Sequence, residues 1–104
     1  MNQELGIKSQ EEDVWRLTFH VEEAVTDIVL FRGSEEVNRA RIEPNRELLE
    51  KLLPAVDALL AEHKIIPRDI ADIRVESDLP DGYSSRRIAE TVAGVWKRFG
   101  YYEA

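Results

Sequence analysis

The stretch 48-LLEKLLPAVDALLAEHKIIPRDIADIRVE-76 contains a helix pattern, a short connector and a strand pattern in immediate succession. Leucine and valine recur at helical spacing over its first half, which predicts an amphipathic helix with a broad apolar face. Residues 70–76 alternate apolar and charged side chains, which predicts a strand with one face towards water. A helix that leads into a strand is typical of a crossover connection, so this stretch decides the fold class.

A proline lies inside the helix pattern, and another precedes it. Pro54 falls in the middle of the apolar face. Because an internal proline costs about 3 kcal/mol, we expect a kink or a break there. Asn45, which follows Pro44, is the expected N-cap, and the helix is expected to end near Lys64.

Three strand patterns precede this stretch. Residues 14–21 alternate apolar and polar side chains, residues 25–33 are rich in β-branched and aromatic side chains, and residues 36–42 form a weaker third pattern. The short acidic segment between the first two predicts a hairpin. One side of the third strand is predicted to carry Val37, Arg39 and Arg41.

A turn and a second helix follow, beginning in 78-DLPDGYSSRRIAE-90. Pro80, Asp81 and Gly82 form the bend, and Ser84 or Ser85 caps a helix that continues to about residue 99. Beside its apolar face this helix carries a stripe of small residues that permits close helix approach: Ala89, Ala93 and Gly94.

The predicted order β-β-β-α-β-α indicates an α/β fold, the ribonuclease-H-like half-domain. Right-handed crossovers place the fourth strand parallel to the first and both helices on one face of a mixed sheet. The other face is expected to be solvated, because its strands alternate. The bare face is predicted to carry Arg16, Thr18, His20, Asp72, Arg74 and Glu76, and its mixed charges allow cross-strand pairs such as Arg16 with Glu76.

Length and composition limit the function classes. A chain of 104 residues, 43% hydrophobic and 34% charged, supports one soluble domain, predicted over 14–104 behind a mobile leader at 1–13. The net charge of -7 argues against direct binding of nucleic acid or anionic membrane, and no apolar run is long enough to span a bilayer. The sequence has no cysteine, and no other metal-ligating side chains stand at the spacing of a metal site around His20 or His63. It therefore predicts no metal and no cofactor. We expect a cytoplasmic protein, and residues 101–104 suggest the start of a fifth strand.

From about residue 48 to residue 99 the sequence resembles the N-terminal lobe of the TsaB (YeaZ) family, which has the actin-like ATPase fold. The Leu-Leu-Pro helix, the Asp-Ile connector and the strand 70–76 are similar to the family pattern, and Pro54 falls at the family's proline. The turn is similar to the family's Pro-Gly-Ser-Phe-Thr-Gly-x-Arg-Ile-Gly motif. The matching or near-matching positions are Pro80, Tyr83, Ser84, Arg87 and Ile88.

The sequence also departs from the family pattern. Asp81, Ser85 and Ala89 replace glycines of the turn, and His20-Val21 stands where related ATPase lobes have an aspartate. Leu48 replaces a family histidine, and the family's second lobe has no counterpart here, which implies a reduced, isolated or excised lobe or a diverged stand-alone relative.

The resemblance implies a non-catalytic, glycoprotease-like scaffold in threonylcarbamoyladenosine modification of tRNA. Its two helices would bind a second copy or a TsaD-type catalytic paralogue. The partner-binding residues carried over are Leu49, Leu53, Val56, Leu60, Arg86, Ala89, Glu90, Ala93 and Lys97. The alternative is a small nucleotide- or phosphate-binding domain at a degenerate turn formed by Pro80, Gly82, Tyr83, Ser84 and Arg87. No catalytic residue is predicted.

Overall fold

The computed structural model describes residues 14–99; the predicted leader at 1–13 and the predicted strand start at 101–104 lie outside the described residues. Within them, four strands form one sheet in the order β3-β2-β1-β4. The strands are β1 (Trp15–Val21), β2 (Thr26–Arg32), β3 (Glu35–Ile42) and β4 (Ile70–Ser77); the helices are α1 (Leu48–Glu62) and α2 (Ser84–Phe99). Short 3-10 turns at Asn45–Glu47 and Pro67–Asp69 precede α1 and β4. The predicted order β-β-β-α-β-α is confirmed.

The pairing of the strands also agrees with the prediction. β1 pairs antiparallel with β2, and β2 pairs antiparallel with β3, so the first three strands form a meander. β4 lies on the other side of β1 and runs parallel to it, so α1 is the crossover connection between the two sheet edges. The sheet is therefore mixed.

Both helices pack on the same face of this sheet, where they share one core with alternate strand residues. The core consists chiefly of Leu17, Phe19, Ile28, Leu30 and Ile73 from the sheet, Leu48, Leu52, Val56 and Leu60 from α1, and Ala89, Ala93 and Trp96 from α2. Each of these side chains is at most 5% exposed, so burial of this apolar surface holds the two layers together.

The prediction for β3 was wrong at Val37. Leu30 pairs with Asn38, whereas Phe31 pairs with Glu36, so Val37 is an extra residue in β3. Val37 packs against the core and does not share a side with the arginines that follow it. A bulge of this kind interrupts strict alternation, which the sequence pattern assumed.

The open face of the sheet carries charged and polar side chains in rows. Arg16 lies opposite Asp72, and His20 lies opposite Glu76. The cross-strand pair that the charges allowed between Arg16 and Glu76 does not form, because the parallel register sets these two residues apart. The Arg16 guanidinium donates instead to the carbonyl of Gly33, at 3.0 Å.

α1 continues through Pro54 and does not break there. Pro54 removes one hydrogen bond of the helix, but Leu52 and Val56 on either side are almost fully buried. Tertiary packing of the apolar face therefore maintains the helix across the proline. The helix ends at Glu62, and Lys64 adopts a left-handed backbone with a φ of 58°, the position that usually holds glycine.

Asn45 does not cap α1, contrary to the prediction. Its side chain makes no capping hydrogen bond; Pro44 and Glu47 occupy the cap positions of the 3-10 turn and of α1. The Asn45 amide nitrogen instead donates to the carbonyls of Glu22 and Glu23, and its oxygen accepts from the Thr26 hydroxyl at 2.7 Å. Asn45 thus joins the β1–β2 turn to the connection between β3 and α1.

Candidate functional site

The turn after β4 is attached to the neighbouring strand by one hydroxyl. The Ser77 hydroxyl donates to the carbonyl of Val21 at 2.8 Å and accepts the N–H of Leu79 at 3.1 Å. These two bonds join the carboxyl ends of β1 and β4, which is where open α/β sheets usually bind ligands. The turn is therefore the first place to look for a phosphate site.

Arg86 is engaged within the chain. Its guanidinium donates to the carbonyl of Leu79, lies 3.2 Å from an Asp81 carboxylate oxygen, and donates to Glu90 at 2.9 Å. The hydrogen bond to Glu90 raises the pKa of Arg86. Two carboxylates offset the positive charge of this guanidinium, and a carbonyl accepts one of its N–H groups. Arg86 therefore attracts a phosphate only weakly.

The five residues predicted for a degenerate phosphate turn lie together but do not enclose a cradle. Pro80, Gly82, Tyr83, Ser84 and Arg87 are all exposed, and Tyr83 donates its N–H to the Pro80 carbonyl at 3.2 Å. A Cβ built on Gly82 meets no heavy atom within 4 Å, so no neighbouring atom of the described chain requires a glycine at this position. The geometry is that of an exposed turn leading into a helix.

The surface beside the turn is acidic. A concavity of about 390 Å³ at the carboxyl ends of β1 and β4 is lined in part by Glu22, Glu23, Glu76 and Asp78. Four carboxylates in this position repel a phosphate group. Within residues 14–99, no group of three or more His, Cys, Asp or Glu side chains is arranged to hold a metal ion.

A second polar cluster lies on the open sheet face around Asp27. Arg41 donates to the two Asp27 carboxylate oxygens at 2.9 and 3.3 Å, and Arg39 donates at 3.2 Å while it also binds Glu36. The hydrogen bond from Arg41 lowers the pKa of Asp27, although burial of the carboxylate opposes this effect. Two arginines and two carboxylates neutralise one another here, so we interpret the cluster as structural.

The helix layer carries an apolar groove that opens to solvent. It encloses about 240 Å³ between α1 and α2, and it is lined by Leu53, Thr91, Val92, Val95 and Trp96. One turn before Leu53, the side chain of Leu49 is 74% exposed, the largest exposure among the large hydrophobic residues described. An exposed leucine beside an apolar groove is typical of a surface that binds another protein.

The residues predicted for partner binding divide into two groups. Val56, Leu60, Ala89 and Ala93 are at most 5% exposed and belong to the core. The residues that a partner can reach directly are Leu49, Leu53, Arg86, Glu90 and Lys97. The stripe of small residues thus faces mainly into the molecule, except for Gly94, which is exposed.

Sequence reasoning missed four of the five groove residues: Thr91, Val92, Val95 and Trp96. Their spacing along α2 was a usable signal, since residues three and four apart share a helix face. It could not be used alone, because an apolar stripe facing a neighbouring helix and one facing the sheet have the same period.

No known family model and no curated protein matches the chain. Among solved structures, YeaZ from Pseudomonas aeruginosa matches with a TM-score of 0.68 and 19% identity over 84% of this chain. A second structure from the same organism, described as an uncharacterised protein similar to the peptidase YeaZ, matches with the same TM-score and identity. The chain spans 40% of the length of each of these structures.

The described helices include none that is long and apolar enough to cross a membrane. At this level of identity the likeness establishes the fold, and it agrees with the fold that the Leu-Leu-Pro helix and the following turn predicted. The chain therefore has a TsaB/YeaZ-like fold.

Proposed function

We propose that this chain is a non-catalytic interaction module that binds a protein partner through the outer surface of α1 and α2. The partner is a second copy or a TsaD-type catalytic paralogue, and the process is threonylcarbamoyladenosine modification of tRNA in the cytoplasm. The YeaZ-like fold supports the choice of process. The observation that carries the binding role is the apolar groove between the helices, with Leu49 exposed beside it.

Burial of apolar surface would supply the affinity. A leucine side chain transferred from water into an apolar contact contributes about 1.5–3 kcal/mol. Leu49 makes no such contribution in the isolated chain, because it is 74% exposed. Together with the open groove at Leu53 and Val92, it offers a continuous apolar contact to a partner.

Charges beside the groove support a second copy as one partner. The exposed residues of α1 near the groove include Glu50 and Asp57, whereas those of α2 include Arg87 and Arg98. α1 follows β3 and α2 follows β4, and both of these strands run in the same direction as β1. Because both helices return across the same face of the sheet, they also run in the same direction as each other. A two-fold axis that lies in the plane of the interface and parallel to the helices would therefore place the acidic residues of α1 in one copy against the basic residues of α2 in the other.

The arrangement at the turn supports a role without catalysis or nucleotide binding. The guanidinium of Arg86 is held by Asp81 and Glu90, and the adjoining concavity is lined by carboxylates. A phosphate-handling site needs unpaired donors or a cation in that position.

The test compares two substitutions of exposed apolar residues. Leu49→Asp places a charge on the proposed surface, and Ile66→Asp places the same charge on a side chain 56% exposed in the connection between α1 and β4. We expect Leu49→Asp to weaken binding of either partner about tenfold or more, with Ile66→Asp unchanged. Equal affinity for the two variants would contradict the proposal.

A further inference from the structure

The charged side chains of the two helices separate by sign on the outer surface of the helix layer. α1 carries four charged residues and α2 carries five. Five of these nine contact other residues of the chain: Lys51 contacts Glu47, Glu62 contacts Asn38, Lys97 contacts Asp72, and Arg86 and Glu90 contact each other. The remaining four are exposed, and they are Glu50 and Asp57 on α1 and Arg87 and Arg98 on α2.

These four residues point away from the sheet. Leu52 of α1 and Ala89 of α2 are at most 1% exposed and belong to the core. At about 100° per residue, the two acidic residues lie about 140–160° around α1 from Leu52, and the two arginines lie about 160–180° around α2 from Ala89. Arg46 and Lys64 lie beyond the two ends of α1, about two and about three turns from Leu53 in the groove. The outer surface at the groove is therefore acidic along α1 and basic along α2.

Each acidic residue of α1 has a basic residue of α2 at about its own level along the helices. The groove defines this level, because it is lined by Leu53 of α1 and by side chains of residues 91–96 of α2. The two helices run in the same direction, so residues about one turn before the groove share one end, and those just after it share the other. The pairs at a common level are Glu50 with Arg87 before the groove and Asp57 with Arg98 after it.

This pattern distinguishes two ways in which two copies can meet through the helix layer. A two-fold axis parallel to the helices places α1 of one copy against α2 of the other and keeps every residue at its own level, so unlike charges meet. An axis in the same plane but perpendicular to the helices places α1 against α1 and α2 against α2, so like charges meet. The first arrangement is attractive and the second is repulsive.

We infer that the occupant of the helix surface is a second copy of this chain, related by a two-fold axis parallel to the helices, with Glu50 paired to Arg87 and Asp57 paired to Arg98 of the other copy. The apolar grooves of the two copies then face each other at the centre, and the ion pairs form the rim, the usual anatomy of a protein interface. This inference rests on the proposed function, because it selects one of the two partners named there and fixes its orientation.

Two charge reversals, studied singly and mixed, test this pairing. Asp57→Arg alone sets arginine against Arg98 of the other copy, and Arg98→Asp alone sets aspartate against Asp57. Because each reversal acts twice in a two-fold dimer, sedimentation equilibrium should show each variant dimerising about tenfold or more weakly than the natural chain. A mixture of the two variants restores both unlike pairs, so the heterodimer should form with about the affinity of the natural dimer. Native mass spectrometry separates the three possible dimers by mass.

Glu23→Arg makes the same kind of reversal in the exposed β1–β2 turn, and it should leave the affinity of the dimer unchanged. A salt titration of the natural chain needs no variant: its dimer should weaken as the salt concentration rises, and a dimer that salt does not weaken would overturn the inference. A mixture without excess heterodimer would also overturn it, since pairing of Asp57 with Arg98 inside one chain, or the perpendicular axis, gives no such rescue.

The outcomes separate this inference from the proposed function. If Leu49→Asp weakens the natural dimer but the mixed variants form no excess heterodimer, this inference falls and the proposed function stands. The same holds if the natural chain binds only the catalytic paralogue. If the chain associates with neither partner, both are wrong.

Discussion

Replacement of Asn45 by aspartate distinguishes the observed network from the helix cap that the sequence predicted. At an N-cap, asparagine and aspartate are nearly equivalent, so Asn45→Asp would change the free energy of unfolding little. In the structure the amide nitrogen of Asn45 donates to the carbonyls of Glu22 and Glu23. A carboxylate cannot donate these bonds, and it would place negative charge against two carbonyl oxygens.

The size of the effect follows from the groups left unpaired. Each lost hydrogen bond contributes about 1 kcal/mol, and burial of an unmatched polar group adds to the cost, so we expect Asn45→Asp to destabilise the fold by about 2–4 kcal/mol. Asn45 is only 9% exposed, which limits compensation by water. Urea unfolding followed by tryptophan fluorescence measures the change.

The hydrogen bond between the Thr26 hydroxyl and Asn45 can be tested by a double-mutant cycle. Thr26 is 0% exposed, and its hydroxyl donates to the Asn45 oxygen at 2.7 Å. Asn45→Ala leaves this hydroxyl unpaired, so Thr26→Val should cost less in the Asn45→Ala background than in the natural chain. A loss below about 0.5 kcal/mol for Asn45→Asp, or strict additivity in the cycle, would refute the assignment of this network.

Three further predictions concern backbone strain, pH and nucleotide. Lys64→Gly should stabilise the fold by about 0.5–1 kcal/mol in urea unfolding, because Lys64 has a φ of 58°, whereas Lys64→Ala should give no gain. The hydrogen bond from Arg41 holds the pKa of Asp27 in the folded chain below its usual value of 3.8. The pair therefore stabilises the fold fully at pH values above 3.8, and this stabilisation is lost as the pH falls through the pKa of Asp27 in the folded chain. Acid unfolding of Asp27→Asn should therefore depend less steeply on pH than that of the natural chain; identical profiles would argue against this role. Calorimetric titration with ATP and Mg²⁺ at millimolar concentration should show no binding heat, and measurable heat would revive the phosphate-binding alternative.

The fold could be predicted from the sequence because its main signals are local. The apolar period of α1 and the alternation in residues 70–76 reflect directly which side of each element faces the core. Crossover rules then place β4 beside β1 in parallel, as the structure shows. Each of these inferences needs only the order and the period of the pattern.

The predictions made from the sequence were wrong where one extra residue changes the strand register or where a hydrogen-bond partner is distant in sequence. The bulge at Val37 shifts β3 by one position, and no local pattern marks it. Asn45 stands at a plausible cap position, but its hydrogen-bond partners lie 19 to 23 residues away. Such contacts depend on how the β1–β2 turn meets the start of α1.

The candidate surface was only partly predictable for a related reason. Helical spacing identifies Leu53 and Val56 as apolar, but it does not show that Val56 is fully buried while Leu49 remains 74% exposed. That division depends on how α1 and α2 are inclined to each other and to the sheet.

The mass of the protein in solution, alone and mixed with a TsaD-type catalytic paralogue, tests the central claim most directly. Size-exclusion chromatography with multi-angle light scattering should give twice the 12.0 kDa of the chain, or the mass of a complex with the paralogue. Leu49→Asp should return the chain to a monomer, and Ile66→Asp should not. A natural chain that remains a 12.0 kDa monomer at high concentration and in the mixture would contradict the claim.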